Sequence, residues 1–125
     1  MNLVHDSVNA TLFPDIDSAA QVHTGFRDVH AATADAVLAA VRDLLSSKDT
    51  KTITTVGHSL GGALAELDSV FLKLNNPDAT VNVVTFGKPR VGNEAWAEVV
   101  DSTVSRGAVI IGKVRVLIAS IGRLL

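Results

Sequence analysis

No cysteine occurs anywhere in the 125 residues. Disulfides and thiolate-held metal centres are therefore excluded, and the redox compartment stays open. The four histidines, His5, His23, His30 and His58, are scattered and lack paired carboxylates, so neither a metal site nor any other cofactor is expected. The net charge of -2 gives no field that would steer the chain toward nucleic acid. No uninterrupted apolar stretch is long enough to cross a bilayer. The first fifteen residues lack a basic start followed by an apolar run, so no signal peptide is expected in them. On that ground the sequon Asn9-Ala10-Thr11 is expected to go unmodified. Internal repeats, low-complexity segments and linkers are missing too, which points to a single domain over 1–125.

Hydrophobic residues make up 47% of the chain, too many for a disordered segment. A chain of this length buries roughly two-thirds of its unfolded surface. Residues 1–21 read as irregular, with turn formers at Pro14, Asp15, Asp17 and Ser18. The acidic pair Asp15 and Asp17 reads as a solvated turn rather than a cation site. Residues 27–46 repeat apolar side chains at helical spacing through Val29, Thr33, Val37, Val41 and Leu44, joined by Ala36, Ala40 and Leu45. The β-branched run 52–56 predicts a short strand buried on both faces. A helix over 63–74 follows, with Leu64, Leu67, Val70, Phe71 and Leu74 on one side. A second strand is expected over 81–86 and a loop over 87–92, after which Asn93 caps a helix reaching Val100. Such alternation implies an α/β fold with a parallel sheet and right-handed crossovers. From about residue 104 to 125 the text changes. It is apolar, with Arg106, Lys113, Arg115 and Arg123 as its charges. Its periodicity fits a strand over 114–118 and a helix face through Ile110, Val114, Leu117, Ile121 and Leu124 equally well.

One motif carries chemistry. Gly57-His58-Ser59-Leu60-Gly61 matches G-x-S-x-G, which ordinary composition produces by chance in roughly one chain in twenty-five of this length. Here it follows a strand and opens an apolar helix, the setting of a nucleophile elbow. The turn is tight, so the flanking glycines are expected because side chains would not fit. Ser59 is then held out at the carboxyl end of the strand, near the positive end of the next helix. The Leu60 backbone N–H points where an oxyanion would form. Ser59 is thus the candidate nucleophile and Leu60 the candidate oxyanion donor. Neighbouring residues on an elbow point in different directions, so His58 reads as a packing histidine rather than the base.

The motif, Val22-His23-Thr24-Gly25-Phe26 before it, and Thr85-Phe86-Gly87-Lys88-Pro89-Arg90-Val91-Gly92-Asn93 after it resemble the class 3 lipases in order and spacing, fungal members above all. The motifs mark a match over about 11–103. The resemblance implies a partial α/β-hydrolase, a short parallel sheet flanked by helices. It also implies an acyl ester or lipid substrate hydrolysed through a Ser-Asp-His triad. His23, Gly25, Pro89, Arg90 and Gly92 match positions that look structural. Lys88 departs from the glutamine that family members usually carry.

In α/β-hydrolases the acid and then the histidine follow the nucleophile. No histidine follows Ser59, and no Asp or Glu occurs in 105–125, where the family's aspartate falls. Asp68, Asp78 and Asp101 are not placed at a strand's carboxyl end. The strands, oxyanion loop and lid helix that precede this region in the family find no match before Thr11. A fragment with little activity of its own is the expectation. Two alternatives remain: an esterase in which His23 or His30 reaches Ser59, and a binding module whose cationic, apolar tail contacts a lipid interface or a partner.

Overall fold

The computed structural model describes residues 4–108. Along the chain run β1 (His5–Ser7), β2 (Gln21–His23), α1 (Thr24–Ser47), β3 (Thr52–His58), α2 (Leu60–Asn75), β4 (Thr80–Phe86), α3 (Glu94–Thr103) and β5 (Ser105–Ala108). β3, β4 and β5 form a wholly parallel three-stranded sheet in that order. Ile53 stands beside Val81 and His58 beside Phe86, so the carboxyl ends of β3 and β4 are level. α2 crosses over between β3 and β4, packs on both, and receives α1 on its other side and α3 alongside.

The expected helix–strand alternation is present, with longer elements. Four features differ from expectation. First, 1–21 is not wholly irregular: β1 and β2 pair antiparallel. Val22 is fully buried because the 87–93 loop holds it, with the His23 N–H donating to Val91 O at 2.8 Å and the Asn93 N–H to Gln21 O at 3.0 Å. Such long-range pairing leaves no local pattern in a three-residue strand. Second, β3 is not buried on both faces. Ile53 faces α2, while Thr54, Val56 and His58 are exposed on the opposite face, which no described element covers.

Third, the packed face of α1 runs through Phe26, His30, Ala34, Val37, Leu38, Val41 and Leu45, whereas Val29 and Leu44 are about half exposed. Fourth, the strand beside β4 is Ser105–Ala108; the alternative readings of 114–118 lie outside the described residues. α2 is the best-buried element, with Ala63, Ala65, Leu67, Val70, Phe71 and Leu72 all enclosed. It carries apolar residues on more than one side because the sheet covers one side and α1 another. Each such large side chain contributes roughly 1.5–3 kcal/mol by leaving water.

Candidate active site

Ser59 sits on the single residue between β3 and α2. Its backbone is at φ 54°, ψ -122°, the conformation of the first central residue in a type II′ turn, normally given to glycine. The fold holds it there from both sides. The Ser59 N–H donates to Phe86 O at 3.0 Å, tying the elbow to the end of β4. The Ser59 carbonyl accepts from Gly62 N at 3.0 Å and Ala63 N at 3.2 Å, starting α2. The backbone performs the capping and the hydroxyl takes no part in it. Ser59 is exposed, and Leu60 opens the helix with an N–H that has no intrahelical acceptor. The positive end of a sixteen-residue helix therefore lies next to the hydroxyl.

The steric demand on the glycines is not symmetric about Ser59. A Cβ at Gly57 would lie 2.0 Å from Gly61 O, so no side chain fits. A Cβ at Gly61 would meet nothing within 4 Å, contrary to the expectation that both flanks must be bare. The second crowded position is Gly62, where a Cβ would come within 2.9 Å of Lys88 Cβ. The elbow is tight because the Gly61 carbonyl and the loop after β4 press on it.

His58 is not a packing histidine. It is exposed on the open face of the sheet, beside Gly87, whose φ of 58° turns the chain out of β4. The remaining histidines are engaged elsewhere. His23 Nδ1 accepts the Gly25 N–H at 3.1 Å and so caps α1, and its ring lies 4.5 Å from that of Phe26. His5 stands opposite His23 across β1 and β2, the rings edge to face at 6.1 Å. His30 is buried between the rings of Phe13 and Phe71. Its Nε2 faces Asp68 Oδ1 at 3.0 Å, off the line of a regular hydrogen bond, with both atoms shut off from solvent. The structure does not bring His23 or His30 into a hydrogen bond with Ser59 among the described residues.

A charged cluster beneath the site escapes a sequence reading. Glu66, only 2% exposed, accepts from Trp96 Nε1 at 3.2 Å and pairs with Arg106 at 3.1 Å. Lys88 reaches the same carboxylate oxygen at 3.5 Å, and Asp101 pairs with Arg106 at 3.0 Å. The cluster joins α2, α3, β5 and the loop after β4. It also gives Lys88 an anionic partner. The single available signal was a glutamate one residue from Leu67 on a helix with an apolar core face. Asp15 is in a left-handed turn at φ 61°, and among the described residues no cluster of three or more metal-ligating side chains occurs. A cavity of about 450 Å³ lies at the opposite end of the sheet, before β3 and β4, lined by Arg42, Lys51 and Asp78 among others. It shares nothing with the elbow.

A family profile described as lipase (class 3) matches residues 2–117, wider at both ends than the stretch that the motifs mark. A secreted mono- and diacylglycerol lipase 2 of Gibberella zeae is 44% identical over 80 residues, which is 64% of this chain and 20% of that protein. A secreted alkaline triacylglycerol lipase of Penicillium cyclopium is 32% identical over 97 residues, 77% of this chain and 33% of that one. Among solved structures, a triacylglycerol lipase of Penicillium expansum superimposes with a TM-score of 0.77 at 25% identity, covering 86% of this chain and 43% of the other. The Rhizomucor miehei triacylglyceride lipase gives 0.73 at 29% identity, covering 86% and 41%. The chain thus spans between a fifth and a third of these two curated relatives' length.

Proposed function

Because the chain belongs to the class 3 lipase family, we propose that it carries the nucleophile end of a site that hydrolyses carboxylic esters of glycerol. Ser59 Oγ attacks the acyl carbon, the Leu60 N–H donates a hydrogen bond to the oxyanion that forms, and glycerol or a partial glyceride departs carrying the proton that the serine hydroxyl gives up. Water then releases the fatty acid from Ser59. The observation that carries this reading is the elbow itself. Ser59 is held at φ 54°, exposed, with its hydroxyl left out of the helix cap that its own carbonyl starts.

The base is the weak link. No histidine follows Ser59, while His23 caps α1 and His30 is enclosed against Asp68. A serine hydroxyl without a positioned base retains at most the oxyanion and binding contributions, roughly 10³-fold over water. We therefore expect this chain alone to hydrolyse acyl esters slowly at best.

A phosphonate ester that labels serine nucleophiles tests both halves. Labelling of the full chain should be slow, confined to Ser59, and lost in Ser59→Ala. Added imidazole should accelerate it by standing in for the base. Rapid labelling without imidazole would mean that a base has been overlooked, and no labelling under either condition would remove Ser59 from the mechanism.

A non-catalytic reading draws on the apolar surface beside the elbow. Val56 is 56% and Leu60 49% exposed, which suits contact with a lipid interface whether or not the ester is cut. The curated relatives are named as secreted proteins, and we place this chain on the same route.

A further inference from the structure

Asn9-Ala10-Thr11 is the only Asn-X-Ser/Thr sequence in the chain. It lies just after β1, in the segment that connects the two strands of the small sheet, and not at the elbow. Ala10 and Thr11 are exposed and Asn9 is half-buried. The Asn9 carbonyl accepts from Leu12 N at 3.1 Å and Phe13 N at 2.8 Å, and its side-chain Oδ1 accepts from Thr11 N at 3.0 Å and Leu12 N at 3.4 Å. Phe13 anchors the turn in the core. Every one of these bonds uses an oxygen. Among the described residues, Asn9 Nδ2 donates to nothing, and it is not among the atoms shut off from solvent.

From this we infer that Asn9 is an N-glycan acceptor. The expectation that the sequon goes unmodified rested on where the chain starts, which does not bear on whether the side chain can accept a glycan. In the transfer, Nδ2 displaces the lipid pyrophosphate from the anomeric carbon of a lipid-pyrophosphate oligosaccharide. One N–C bond forms, one C–O bond breaks, and one Nδ2 proton leaves. Oδ1 keeps its lone pairs, so both side-chain bonds of the turn survive and the glycosylated chain folds to the same structure. The threonine hydroxyl that the acceptor sequence requires stands on an exposed residue two positions on.

The inference rests on the secretory route proposed above, so the experiment supplies that route. The full chain is expressed behind a secretion leader in a glycosylating yeast, and the product is run on a gel before and after digestion with an N-glycan endoglycosidase. A single band that drops in apparent mass on digestion is expected. Thr11→Ala and Asn9→Asp should run at the digested position without enzyme, and Thr11→Ser should keep the shift. Asn9→Asp preserves the Oδ1 acceptor, so it separates loss of the glycan from loss of the turn. An undigestible wild-type band, or a shift that persists in Thr11→Ala, would overturn the assignment. Since the leader provides the route, that failure would fall on the acceptor and leave the secretion reading as it stands.

Discussion

At the scale of single residues, the chemistry depends on a conformation that serine adopts at a cost. A non-glycine residue at φ 54°, ψ -122° costs on the order of 1–3 kcal/mol, and it persists because the surroundings over-determine it. Here they are the Phe86 carbonyl, the first turn of α2 and the bare Gly57. Ser59→Gly should therefore raise stability by about 1 kcal/mol while abolishing labelling, and Ser59→Ala should leave stability nearly unchanged. Urea midpoints of the three proteins measure this. Equal midpoints for glycine and alanine would mean that the elbow stores no strain. Ser59 and the need for Gly57 were legible in the sequence, because strand, glycine, serine and helix succeed one another within a few residues. The contrast between Gly61 and Gly62 was not, since it comes from Lys88, twenty-six residues further on.

At the scale of elements, the type of each was readable and its orientation less so. Thr24–Ser47 is helical as its spacing predicts, yet the face that meets α2 is centred on His30 and Ala34, a polar residue and a small one. Counting large apolar side chains selects Val29 and Leu44 instead, and both lie about half exposed. Periodicity reports where apolar residues recur, and it misplaces an interface built from an alanine contact and an enclosed His30–Asp68 pair. The same blindness hid Glu66, whose charge is satisfied, among the described residues, by side chains from α3, β5 and the loop after β4. A substitution pair tests the observed orientation. Ala34→Leu should cost about 1–3 kcal/mol by overpacking the α1–α2 contact. Val29→Lys should stay within about 0.5 kcal/mol. The reverse order in thermal or urea melts would restore the face that the apolar count selects.

At the scale of the whole molecule, the described residues form a well-buried side and a bare one. α2 is enclosed between α1 and the sheet, while β3 presents seven residues without a charge or a proline along its outer edge. No described strand pairs with that edge, and Thr54, Val56 and His58 are exposed on the uncovered face. An edge of this kind offers a row of unpaired N–H and C=O groups to any other extended chain, and natural sheets usually guard it with lysine, proline or a bulge. The Penicillium expansum lipase that superimposes on this chain is about twice as long, since 86% of this chain covers 43% of it. We therefore expect the purified 125-residue chain to self-associate as its concentration rises and to melt over a broad range rather than in a sharp two-state transition. Val56→Lys places a charge on the middle of β3, where it points away from the core and disturbs no buried contact. It should lower light scattering at a given concentration and leave the far-ultraviolet circular dichroism unchanged. A wild-type chain that stays monomeric and melts reversibly at one temperature over a hundredfold range of concentration would show the opposite. The open edge would then be no liability, and the three-stranded sheet would be self-sufficient.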